Sequence, residues 1–238
     1  MEAGLPAFVS PRRLTREQAK AAKARDQAFH TALKSRARAC GWSYAGGVLF
    51  RQDGDWFANA MPRLLLDSGC SISFSLKPMA LDPIFWDIVG LPENAALPLS
   101  FRANGAWVLR APAVELQIAA GIVCLDDLAE AVFTCANEAL CRSRAERSLE
   151  SLLRSLGPPA QLGGQILALA ICLHILSGDL DAAAALCREA SEREAGPFGE
   201  TGGFTTHLSD GRLETFVDQA KSWVAARRRS SMIVVSGC

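Results

Sequence analysis

Three histidines, eight cysteines and a few acidic pairs are the side chains of this 238-residue sequence with the chemistry for catalysis or metal binding. Their spacing decides what each can do. His30 falls in a Lys/Arg-rich stretch, His174 in an apolar one, and only His207 in a Gly/Thr-rich segment that reads as a loop. Cysteine–histidine couples meet in space rather than in sequence, so His207 with a cysteine is a candidate hydrolytic pair. No serine or cysteine has the flanking glycines of a nucleophile elbow. Cys172 and His174 are two apart on a helical pattern and point to different faces, and Cys135 and Cys141 are six apart, so neither pair has zinc-ligand spacing. A metal-dependent nuclease sets one acid ahead of an acid-x-base strand. Asp55 or Asp82 with Glu115-Leu116-Gln117 approximates that set, with Gln in place of the usual Lys and no basic cradle. Gly199, Gly202 and Gly203 lead into Phe204 without Lys-Ser/Thr, so they form no phosphate loop. The sequence therefore assigns no catalytic residue, no metal ligand and no cofactor.

What it offers instead is aromatic and guanidinium surface. Trp42, Trp56, Phe57, Trp86 and Trp107 crowd the first half, interleaved with Arg51, Arg63 and Arg102. A Trp/Arg mixture is typical of the few residues that dominate a protein interface. Arg51, Trp56, Arg63, Arg102 and Trp107 are the candidate binding residues, provided that the sheet carrying them leaves one face open.

That sheet follows from the pattern of residues 40–118. Thr15-Arg16-Glu17-Gln18 is a capping box, so a helix starts there, with Ala19, Ala22, Phe29, Leu33 and Ala37 as its apolar stripe and Gly41 as its stop. Trp42 to Phe50 and Asp55 to Met61 read as a hairpin around Asp53-Gly54. Cys70 to Lys77 alternates apolar residues with serine and lysine, as a strand with one core face and one wet face does. Asn104-Gly105 predicts a second tight hairpin, Leu99–Ala103 with Ala106–Arg110, which sets Arg102 opposite Trp107 for a cation–π contact. Asp82 to Gly90 reads as a short helix and Val114 to Ile118 as an edge strand.

From Leu125 the period becomes helical. Segments near 128–140 and 149–156 form one pair, ended by Gly157-Pro158-Pro159. Leu162–Ser177 and Asp181–Ala195, separated by Gly178-Asp179-Leu180, form an antiparallel helix hairpin, and a last helix carries Leu213, Phe216, Val217, Ala220 and Val224 on one stripe. With Gly178, Leu180, Ala183 and Ala190 at its turn and second helix, the stretch 162–195 resembles a single tetratricopeptide repeat.

Leu33, Gly41-Trp42, Leu49-Phe50-Arg51, Gly54-Asp55-Trp56 and Ser71–Leu76 together resemble an uncharacterised bacterial family known only as a domain of unknown function, the 4304 type. The resemblance covers residues 26–110. It implies an α+β fold and a partner-binding role, toxin neutralisation among the options, and it transfers no catalytic residue.

Composition bounds the rest. Lys+Arg and Asp+Glu number 25 each and half the residues are hydrophobic, which suits a globular chain and disfavours non-specific nucleic-acid binding. The cysteines sit in apolar runs, residues 1–24 have no apolar signal core, and no run reaches the roughly 20 apolar residues of a membrane span. The expectation is a cytoplasmic α+β protein with an N-terminal helix packed on an antiparallel meander (residues 1–122), then a helical unit (residues 123–238). Its expected function is binding another protein, in an immunity- or adaptor-like role. A hydrolase or metal-dependent nuclease is the alternative.

Overall fold

The computed structural model describes residues 15–65, 69–118, 124–194, 205–207 and 213–235. Helix α1 (Arg16–Ala37) opens on the expected capping box: the Thr15 hydroxyl accepts from the Gln18 amide at 3.2 Å, and the Thr15 amide donates to the Gln18 side chain at 2.9 Å. Only its second half packs, through Phe29, Leu33 and Ala37; Ala19 and Ala22 are exposed.

A five-stranded antiparallel meander follows, in the order β1 (Ser43–Ala45), β2 (Val48–Asp53), β3 (Trp56–Leu64), β4 (Cys70–Pro78), β5 (Ala113–Ile118). The single strand expected over Trp42–Phe50 is in fact a hairpin. Gly46 and Gly47 both take positive φ, 55° and 84°, which is the geometry that a two-residue turn between twisted strands requires. β3 tolerates Pro62 because β2 pairs only with residues 56–60, so no neighbour on that side asks for its missing N–H.

Register assigns the faces. Leu49, Ala58, Ala60, Ile72, Phe74, Leu116 and their neighbours share one face, covered by the second half of α1 and by α4 (Leu125–Ser143) through Leu128, Val132, Phe133 and Ala136. On the other face Ser71 and Ser73 are half-buried. Ser75 and Lys77 are buried, because the chain between β4 and β5 folds back over that end of the sheet. This excursion holds α2 (Leu81–Ile88), a 3-10 turn at Pro92–Ala96 and the single-turn α3 (Phe101–Asn104). A small apolar cluster, Val48, Phe50, Phe57 and Ala103, lies beneath it.

The hairpin expected around Asn104-Gly105 does not form. Gly105 has an ordinary φ of −63°, and it is needed for closeness instead: a Cβ there would lie 2.5 Å from the Phe101 carbonyl oxygen. Arg102 consequently stacks on Trp86 at 5.1 Å, not on Trp107.

The remaining helices are α5 (Leu149–Ser155), α6 (Gly164–Leu176), α7 (Leu180–Glu194) and α8 (Phe216–Val235), with a two-stranded ribbon β6 (Thr205–His207) and β7 (Leu213–Thr215) before the last. α6 and α7 form the expected hairpin, turning at Gly178 with φ 82°. The largest apolar cluster joins Leu81, Phe85, Trp86, Val108 and Leu109 to residues of α6, α7 and α8. The cores thus cross residue 122 in both directions, with α4 packing on the sheet and α2 packing among the late helices. Among the described residues no helix is long and apolar enough to cross a membrane.

Candidate functional site

β2 and β3 meet at a turn on Gly54, which has φ 62°. The last residue of β2 is Asp53, placed by register on the helix-covered face opposite Trp56. The α4 helix ends above it, and Asp53 receives Arg144 through Nη2 at 2.8 Å and Nε at 3.1 Å, and Arg147 through Nη1 at 2.5 Å. Hydrogen bonding to Arg144 first, and to Arg147 against the opposing effect of burial, holds this carboxyl well below the usual range, at about 2. Arg147 also donates to the Leu140 carbonyl at 3.5 Å. The clamp fixes the corner between α4 and α5, where the Ser148 hydroxyl caps α5 by accepting from the Ser151 amide at 2.9 Å.

Between that corner and the sheet lies a recess of about 200 Å³, lined by Trp56, Leu76, Val114, Arg147, Ser148 and Leu152 among others. Its walls are largely hydrocarbon, its rim carries one fixed guanidinium, and Val114 at its edge is 61% exposed.

The five candidate binding residues do not form one patch. Trp56 lines the recess and Arg51 lies on the same sheet face, half-buried over the Trp42 ring at 5.7 Å. Trp42 itself is buried and donates to Asn137 at 2.9 Å. Arg63 is exposed on the opposite face, its Nη2 3.6 Å from the Met61 sulfur. Trp107 is half-buried against the late-helix core, and its carbonyl accepts the Trp86 indole N–H. Arg102 is not on the surface: its side chain is 10% exposed and paired with Asp82.

That pair belongs to a buried ionic hub that no sequence pattern announces. Asp82, fully buried, accepts from Lys77 at 2.7 Å and the Leu109 amide at 3.2 Å through one oxygen, and from Arg102 at 3.0 Å through the other. Lys77 also donates to the Leu109 carbonyl at 2.6 Å, and Arg102 to the Met79 carbonyl at 2.9 Å. Burial pulls the Lys77 ammonium below its ordinary pKa, opposed by Asp82. An isolated acid twenty residues from an arginine carries no local signature of such a meeting.

The candidate chemistry is dispersed. Asp82 is consumed by the hub, and Glu115 receives the Ser73 hydroxyl on the sheet's open face. Asp55 sits at the β2–β3 turn, level with Met79 and so six residue positions along the sheet from Glu115, a separation of roughly 20 Å at 3.4 Å per residue. His207 ends β6, and its side chain lies outside the described residues. Burial pushes the thiols of Cys70 and Cys187 up to about 11 and raises that of Cys172 well above its ordinary value, so these three stay protonated at neutral pH and are poor nucleophiles. Among the described residues no group of three or more His, Cys, Asp or Glu is placed to hold a metal ion. One constellation escaped the sequence reading: the Tyr44 hydroxyl lies 2.8 Å from His30 Nδ1, and Asp26 lies 3.6 Å from His30 Nε2. Burial raises the Tyr44 pKa, so the phenol stays protonated, and its hydrogen bond with His30 pins β1 to α1.

Compared with known protein families, curated proteins and solved structures, the chain matches none.

Proposed function

We propose that this chain is a cytoplasmic protein-binding module, adaptor- or immunity-like, that receives an apolar side chain of its partner in the recess beside Trp56. The observation that carries the reading is the meeting of Trp56, Leu76, Val114 and Leu152 around an open apolar slot next to a guanidinium held rigid by Asp53. Rigid aromatic walls cost little entropy on binding, and the Asp53–Arg147 pair keeps the recess in shape before a partner arrives. Seven described cysteines are free thiols, the state that a reducing compartment maintains; Cys238 lies outside the described residues.

A photo-crosslinking side chain at Ser151, on the groove wall, tests the reading in lysate of the source cell. The expected outcome is one discrete adduct, lost in Trp56→Ala and Leu152→Glu and kept in a variant of the exposed, distant Glu93. The loss should correspond to roughly 2 kcal/mol or more of binding for a hot-spot tryptophan. No adduct, or an adduct indifferent to both groove variants, overturns it.

A further inference from the structure

We propose that two copies of this chain associate edge to edge through β5, making one ten-stranded antiparallel sheet about a two-fold axis at Leu116. The two edges of the meander differ. β1 has three residues, packs beside α1, and has its Ala45 carbonyl capped by the Asn104 side-chain amide at 2.7 Å. β5 has six residues, and among the described residues no strand pairs with its outer side. An unpaired edge of this length presents a row of backbone donors and acceptors to any strand that fits.

The strand best suited to it is β5 itself. Val114-Glu115-Leu116-Gln117-Ile118 reads with the same polarity from either end. In an antiparallel ladder, opposite residues share a face of the sheet, so a two-fold axis must pass through a residue pair. Placed at Leu116, it sets Val114 against Ile118 of the partner subunit and Leu116 against Leu116 of the partner subunit, all on the helix-covered side. Glu115 then faces Gln117 of the partner subunit on the open side, twice by symmetry, as an acceptor opposite an amide donor. Placed at Glu115, the axis would oppose two carboxylates directly, which is unfavourable. The Leu116 register also covers Val114, the most exposed of the large hydrophobic side chains among the described residues at 61%. A formal net charge of zero imposes no long-range repulsion between copies. Five residue pairs bury far less than the roughly 1,200–2,000 Å² of a standard interface, so the association is weak and concentration-dependent. It does not depend on what occupies the recess, although Ile118 of the partner subunit comes to lie beside the recess at Val114.

Sedimentation velocity of the full chain, from micromolar to near-millimolar concentration, tests this. Wild type should pass from monomer to dimer and stop there. Gln117→Glu, at an exposed position, sets carboxylates against each other twice and should weaken the dimer about tenfold. The exchanged pair, Glu115→Gln with Gln117→Glu, restores an amide opposite each carboxylate and should recover wild-type association. A protein that stays monomeric throughout, a Gln117→Glu variant that associates like wild type, or an exchange that fails to restore the dimer would each overturn the proposal.

Discussion

Asp82 accepts hydrogen bonds from three separated stretches of chain, and its removal should differ sharply from removal of one of its partners. Asp82→Asn leaves the Lys77 ammonium and the Arg102 guanidinium buried without an opposing charge, a loss of about 3–5 kcal/mol by comparison with other broken buried pairs. Lys77→Met removes one cation and keeps Asp82 paired with Arg102 and the Leu109 amide, so it should cost less than half as much. Urea denaturation of the two variants checks the order, and equal losses would mean that the lysine, not the carboxylate, is the centre of the hub. The same residue shows where sequence reading stops. Asp82 was legible as an acid before a helix-opening Pro83, and Arg102 as an arginine near tryptophans. Their union depends on a 34-residue excursion folding back over β4, which no local pattern specifies.

The alternation of Cys70 through Phe74 was readable because the residues on one side meet helices and those on the other meet little. It fails at Ser75 and Lys77, where the excursion covers the second face and burial ceases to follow period two. The two glycine signals failed in opposite ways: Gly46-Gly47 made a turn inside what read as one strand, whereas Asn104-Gly105 made none because Gly105 answers a steric demand from Phe101. The α4 corner that walls the recess was not foreseeable either, since it depends on Asp53 reaching arginines some ninety residues away. That clamp has a pH signature. With the native carboxyl near 2 and the unfolded one near 3.8, its stabilisation is fully present above about pH 4 and is lost as the pH falls toward 2. Wild type should therefore lose more stability than Asp53→Asn between pH 6 and pH 2, measured as the shift in urea midpoint. Parallel losses in the two proteins would show that the pairing stabilises nothing.

For the whole molecule, the notable property is that the chain's two halves exchange helices. The helix-covered face of the sheet is closed by Leu128, Val132, Phe133 and Ala136 from beyond residue 122, and α2 from before it is buried among α6, α7 and α8. The expected division at 122 follows the change of sequence period. A fragment of residues 15–122 should accordingly fail to fold alone, giving poorly dispersed amide resonances and dye binding to exposed apolar surface, whereas the full chain unfolds cooperatively. A well-dispersed spectrum from that fragment would show that the sheet is self-sufficient. The same exchange of helices has a consequence during synthesis. β4 is complete at Pro78, yet the helix that covers it is finished only near Leu140, and at roughly 5–20 residues per second the ribosome takes about 3–12 s to make that interval. Throughout it Ile72 and Phe74 of the nascent chain lack the helix that covers them, so each newly made molecule passes through a span of seconds in which a holdase, or the same segment of a neighbouring polysome chain, competes with its own fourth helix.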